Sequence, residues 1–285
     1  MQISIYNALP EKEKQALFEL VQECNKADGG YRLPYLDNNY NADPEMPAFF
    51  LAEMDGRTIG FLSVYADEPD QAEVSLYVLP SYRRQGVANK LLAAFSKVAD
   101  KYDLTEIEYI AELAFLNGHP DFDWRFDYQK DEAEIWLAQP AQTFPLEKRE
   151  GIEVLQGNLG LAEEIAAFQS QVFETPLDVA LKYAQEAVSS ASSLLYILKK
   201  DGRVVASVSV DTDFGTNYFF GLAVDQDFRG QGLGSYLLLA SMQDLNERNG
   251  QDFQIVVEKQ NTRALKLYKK LGFKEMTEVV YLKEK

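Results

Sequence analysis

The 285-residue chain is poor in the residues that most often carry redox or metal chemistry: it has one cysteine, Cys24, and one histidine, His119. A single thiol excludes an internal disulfide, and one imidazole leaves no His/Cys set to hold a metal. Both residues read as structural, a thiol on a helix face and an imidazole in a loop. No window approaches the roughly 18 consecutive apolar residues of a membrane span, and the amino terminus lacks a basic stretch followed by an apolar one. These absences predict a soluble, cytoplasmic protein without a metal. Basic residues are scarce too, 28 against 45 acidic ones for a formal charge of −17, and that balance excludes nucleic acid as an expected partner. Two phosphate-binding signatures are also missing. There is no Gly-Lys-Ser/Thr of a P-loop, and Gly230, Gly232 and Gly234 do not have the G-x-G-x-x-G spacing of a dinucleotide fingerprint, which disfavours a Rossmann-type nucleotide binder.

What is present is a strand that empties into a glycine loop and then a helix. Tyr218 to Val224 form an apolar run, Arg229-Gly230-Gln231-Gly232-Leu233-Gly234 follow, and Leu233, Leu237, Leu238, Met242 and Leu245 recur at helical spacing. The first turn of a helix has N–H groups without intrahelical partners at the positive end of the macrodipole, so it holds an anion. Gly232 and Gly234 let backbone approach that anion without a Cβ penalty. Arg229 adds a charge-assisted contact at the rim.

The loop Arg229-x-x-Gly232-x-Gly234 resembles the R/Q-x-x-G-x-G/A loop of the GNAT superfamily of acyl-CoA-dependent N-acyltransferases. Downstream, Ile255 to Glu258 and then Asn261-Thr262-Arg263-Ala264-Leu265-Lys266-Leu267-Tyr268, closed by Gly272-Phe273, resemble the family's strand, its N-x-x-A-x-x-x-Y helix and its final G-F. The resemblance implies that Arg229 to Gly234 cradle the CoA pyrophosphate. It implies that N–H groups of Leu222, Ala223 and Val224 pair with pantetheine and the oxyanion, that Asn261 touches the pantetheine arm, and that Tyr268 protonates the departing thiolate. Gly221 inside the apolar strand marks a bulge or a close backbone approach, as that splaying would require.

An internal repeat sets the domain organisation. Asp55-Gly56-Arg57 recurs as Asp201-Gly202-Arg203, and at the same offset of 146 Val78 matches Val224, Arg83 matches Arg229, Gly86 matches Gly232, Ala88 matches Gly234 and Leu91 matches Leu237. The first-half loop, Val78 through Arg83, Arg84, Gln85, Gly86, Val87 and Ala88, also resembles the family's CoA loop. Val87, Leu91, Phe95 and Val98 then share a helix face. The expected fold is α/β (α+β), two tandem GNAT-like domains, each a mixed, mostly antiparallel sheet flanked by helices. Residues 1–138 form the first domain, the proline-bearing 139–149 a linker, and 150–285 the second. After the strand near Glu106 to Ala111, the first half lacks the N-x-x-A-x-x-x-Y helix, and Gly118 and Pro120 would interrupt one. Chemistry is therefore expected in the second domain, with the first structural or CoA-binding.

Each candidate also has an ordinary structural role open to it. Tyr268 shares a helix face with Ala264 and Leu271 and could be a packed aromatic; Asn261 could simply cap its helix. Arg263, Lys266, Lys269 and Lys270 could reach a CoA phosphate or merely solvate a helix face. No general base stands out: Asp211, Asp213 and Glu258 are candidates through a water relay. Residues 1–145 carry net −13 and residues 146–285 net −4. Asp121, Asp123, Asp127, Asp131, Glu132 and Glu134 could border the acceptor cleft and attract a cationic amine, or serve solubility alone. The expected activity is acetyl transfer from acetyl-CoA to a primary amine of a small molecule or peptide. A CoA-binding sensor or scaffold without turnover is the alternative.

Overall fold

In the computed structural model of the protein the described residues are 1–36, 38, 41–122, 128–190, 193–212 and 215–284. Asp123, Asp127 and Asp213 lie outside them, as does the side chain of Asp131. The chain forms two compact units, Met1–Ile135 with Thr277–Lys285, and Trp136–Met276.

In the first unit, β1 (Gln2–Tyr6) leads into α1 (Glu11–Asp28), which ends on Gly29 at φ 73°. That left-handed stop is cheap only for glycine. Strands β2 (Phe49–Met54), β3 (Arg57–Tyr65) and β4 (Gln71–Val78) pair antiparallel in sequence order, and β5 (Glu106–Glu112) joins β4 in parallel after the crossover helix α2 (Val87–Lys101). Val87, Leu91, Phe95 and Val98, expected on one face of that helix, are all buried. With Leu17, Leu20 and Val21 of α1 and Phe49, Phe50 and Phe61 of the sheet they form the unit's core. Truncating a fully buried leucine such as Leu91 to alanine would cost about 2–5 kcal/mol. A six-residue α3 (Leu113–Gly118) stops before Pro120, and the strand β6 (Tyr128–Gln139) follows.

The second unit repeats the order with β7 (Ile152–Gln156), α4 (Ala162–Phe173), α5 (Leu177–Ser189), β8 (Ser193–Lys200), β9 (Arg203–Asp211), β10 (Asn217–Val224), α6 (Leu233–Arg248), β11 (Phe253–Glu258) and α7 (Thr262–Lys270). Strands β7 to β10 are antiparallel neighbours and β11 is parallel to β10. Leu233, Leu237, Leu238, Met242 and Leu245 are buried, as their spacing predicts. The Asp-Gly turns repeat in conformation as well as in sequence. Asp55 and Gly56 have φ 52° and 76°, and Asp201 and Gly202 have φ 50° and 83°, the two positive values that favour Asp-Gly in a tight hairpin.

The last strand differs from the domain limits expected from the repeat. In β12 (Lys274–Glu284), Val279 to Leu282 pair antiparallel with Tyr109 to Glu112 of β5, so Thr277 onward completes the first unit's sheet. Strand β6 lies outside the expected elements, and its last residue, Gln139, is the first of the expected linker. Internal similarity reports which segments share an origin; it does not report which strand edge a segment occupies, because alternation fits any neighbour with a matching apolar face.

Candidate active site

The two loops that open α2 and α6 have one backbone conformation. Leu79 (φ −49°, ψ 135°) matches Asp225 (φ −50°, ψ 131°), Arg83 (φ −66°, ψ 154°) matches Arg229 (φ −67°, ψ 155°), and Gly86 (φ 79°, ψ 11°) matches Gly232 (φ 75°, ψ 14°). Each begins with a 3₁₀ turn, Pro80–Tyr82 or Gln226–Phe228. Each is pinned the same way: the amide of Leu79 donates to Ile59 O at 3.0 Å and that of Asp225 to Val205 O at 2.9 Å. The arginine Nε donates to the carbonyl of the preceding strand's last residue, Arg83 to Val78 O at 2.9 Å and Arg229 to Val224 O at 3.0 Å. Residue 146 positions on is thus the structural counterpart, and both helices present unpaired first-turn amides beyond a left-handed glycine.

The strands before the loops differ. In β10 the register slips between Phe220 and Ala223, which face Ser209 and Ser207 of β9, and Gly221 sits there at φ 61°. This is the bulge expected at that glycine. Pairing of β10 with β11 runs from Asn217 to Phe219 and stops, so Leu222, Ala223 and Val224 lie where the two strands have parted. In β4 the register with β3 is unbroken, pairing with β5 continues to Ser75, and Ser75 occupies the position of Gly221. Splayed backbone N–H and C=O groups at a strand edge can receive an extended amide-bearing ligand, and only the second unit builds that edge around a bulge.

On α7, Tyr268 is buried, its ring 6.2 Å from that of Phe273, and burial alone pushes its phenol up to about 12. Loss of water disfavours the phenolate, so the hydroxyl stays a proton donor at neutral pH. The Oδ1 of Asn261 accepts from the amide of Ala264 at 3.1 Å, capping α7. Arg263, Lys266, Lys269 and Lys270 are exposed, and Lys269 pairs with Glu275 at 2.7 Å. Asp211 is buried on β9 opposite Tyr218, while Glu258 is exposed at the end of β11.

The surroundings of the loops differ most. At the second loop, Arg149 Nη1 donates to Gln231 O at 3.2 Å with its guanidinium 5.1 Å from the Tyr236 ring, and Lys200 Nζ donates to Gln231 Oε1 at 2.7 Å. Arg203 lies beside Phe228 and pairs with Asp225 at 2.9 Å. No motif in the sequence assigns these three cations to the loop. Lys200 and Arg203 flank the Asp201-Gly202 turn and Arg149 falls in the segment read as linker, so the usable signal was a basic residue on either side of a repeated turn. At the first loop, Arg83 forms two 2.6 Å bonds to the carboxylate of Asp28, and the exposed Arg84 lies 3.8 Å from Asp121. Gln85 turns its Nε2 onto Ser81 O at 2.9 Å. Val78, Arg83, Arg84, Gly86, Val87 and Ala88 line a cavity of about 700 Å³ in the first unit.

A sequence model described as "Acetyltransferase (GNAT) family" matches residues 14–117 and again 161–273. The chain belongs to the GNAT acetyltransferase family. It therefore falls among the acyl-CoA N-acyltransferases, and it carries the family's unit twice. Among its relatives are the mycothiol acetyltransferase of Clavibacter sepedonicus, 30% identical over 233 residues (71% of this chain, 69% of that protein), and that of Stackebrandtia nassauensis, 24% identical over 307 residues (97% of each). A GCN5-related N-acetyltransferase from Sphaerobacter thermophilus superposes with a TM-score of 0.74 at 18% identity, covering 99% of this chain and 95% of that one. A tandem GNAT protein from the clavulanic acid biosynthesis pathway superposes with a TM-score of 0.71 at 19% identity, covering 99% and 97%. At such identities these structures support the fold, a mixed α/β tandem GNAT architecture. Among the described residues no group of three or more His, Cys, Asp or Glu side chains could hold a metal ion, and no helix is long and apolar enough to cross a membrane.

Proposed function

We propose that the second unit transfers an acetyl group from acetyl-CoA to a primary amine of a small molecule. The observation that carries this reading is the parting of β10 from β11 at the Gly221 bulge, in the same unit as the α6-opening loop and Tyr268. The diphosphate is held by the amides from Gly230 to Gly234, with Arg229, Arg149 and Lys200 around it. The amides of Leu222 to Val224 pair with the pantetheine arm and receive the oxyanion of the tetrahedral intermediate. An alkylamine must shed a proton before it attacks, and the departing thiolate gains one, which Tyr268 donates. The mycothiol acetyltransferases among the relatives favour a small-molecule acceptor over a protein one.

One observation favours the second reading, a CoA-binding sensor without turnover. Strand β10 contains no Asp or Glu from Asn217 to Val224, so it offers no carboxylate to accept the amine's proton. Thiol release from acetyl-CoA over a panel of amines separates the two. Turnover with at least one amine that collapses in Tyr268→Phe while acetyl-CoA affinity holds supports the enzyme; acetyl-CoA binding with no turnover on any amine supports the sensor.

A further inference from the structure

The cavity in the first unit differs from the surroundings of the second unit's loop in its charge pairing and its aromatic lining. Among the described residues its charged side chains are Arg32, Arg83 and Arg84 against Asp28, Glu112 and Asp121, which cancel formally. They are also engaged with the protein. Arg83 and Asp28 share two 2.6 Å bonds, and Glu112 accepts from the amides of Tyr31 at 2.8 Å and Arg32 at 3.1 Å. Arg32 Nη1 in turn donates to Ser75 Oγ at 2.7 Å. A diphosphate placed here would have to compete with Asp28 for Arg83, and the counterpart of Lys200 is Met54. Around the second loop, by contrast, Arg149 and Lys200 approach the main chain and side chain of Gln231, and neither is matched with a carboxylate at ion-pair distance among the described residues.

The walls are aromatic. Tyr109 and Tyr128 have ring centres 5.0 Å apart, Phe122 stacks on Tyr128 at 6.1 Å, Phe115 meets Phe122 edge-on at 5.6 Å, and the His119 ring stacks on Phe115 at 4.3 Å. His119 Nδ1 is 2.8 Å from Phe115 O, which holds the imidazole in the wall. A volume of about 700 Å³ falls within the range that encloses a drug-sized molecule. Rings in a wall of this kind gain most from an offset-stacked or edge-on partner ring, and polar groups already paired reward no further charge.

The geometry points to a binding site in the first unit for a neutral, ring-bearing small molecule without a phosphate, separate from the acyl-CoA site of the second unit. The two sites stand or fall independently, because this one uses no residue of the loop that opens α6. The test is a fluorescence titration of the full chain with N-phenyl-1-naphthylamine, a neutral aromatic probe, with and without saturating acetyl-CoA. Ala111→Trp and Ala88→Trp, two separate intrusions into the cavity, are titrated beside the parent after circular dichroism establishes that each is folded. The expected result is one saturable probe site per chain, unchanged by acetyl-CoA and weakened at least tenfold in whichever of the two variants is folded. Displacement of the probe by acetyl-CoA, an absence of saturable binding, or unchanged affinity in a folded variant overturns the proposal.

Discussion

Arg83 and Arg229 occupy matching places in matching loops, with main-chain angles that agree within a degree, and they meet different electrical surroundings. Arg83 is clamped by Asp28, 55 residues earlier on α1, whereas Arg229 sits in a neighbourhood that also holds Arg149, Lys200 and Arg203. The strands feeding the two loops part company as well, one regular through Ser75, the other broken by Gly221. Duplication therefore preserved the hydrogen-bonding scaffold, which depends on local backbone, while the side chains reaching it from elsewhere diverged. A helix N-terminus attracts anions in either unit, but a nearby carboxylate cancels much of that attraction and nearby cations add to it.

The contrast can be broken most severely at Tyr268. Tyr268→Phe is expected to lower thiol release from acetyl-CoA by about 10²–10⁴-fold, the range for one positioned acid, with acetyl-CoA affinity by calorimetry unchanged. An equal loss of affinity would instead make the ring a packing element of the site. Next in size, Arg149→Gln with Lys200→Gln is expected to weaken acetyl-CoA binding about tenfold and to flatten its dependence on salt, since cations near a diphosphate act through screened Coulomb attraction. Met54→Lys in the first unit should leave acetyl-CoA binding unaltered while Asp28 still neutralises Arg83.

Gly221→Ala probes the bulge. No atom lies within 4 Å of the added Cβ, so the expected cost of about 1–2 kcal/mol comes from the left-handed backbone alone, read as a lower urea midpoint. Ser75→Ala at the matching site has ordinary backbone and loses only the bond from Arg32, about 1 kcal/mol. The smallest effect expected is with pH. The Tyr268 phenol is raised to about 12, above its unfolded value near 10, so its contribution to stability is complete below pH 10 and is lost as pH rises towards 12. Activity profiles of the parent should show no alkaline loss belonging to this group below about pH 10; a limb near 9 that vanishes in Tyr268→Phe would contradict the assignment.

Much of this architecture was legible beforehand because it is written in local patterns. The faces of α2 and α6, the bulge at Gly221 and the cap at Asn261 each rest on residues within one turn or one strand, and each is found where the local pattern allows it. Arg149, Lys200 and the Arg83–Asp28 pair were not legible. Their roles depend on side chains brought together from 31 to 82 residues apart, and a lone basic residue in sequence carries no mark of what it will face.

By itself, then, the amino-acid order determined the duplicated strand–loop–helix unit and the conformation of the loops that open α2 and α6, since glycine placement and apolar period act over a few residues. Tertiary structure alone decided that β12 joins the first unit's sheet beside β5, that Asp28 pairs with Arg83, and that seven aromatic rings among the described residues line one cavity. Strand pairing and charge compensation are settled by which surfaces meet after the chain has folded back on itself, and that depends on the whole of it at once.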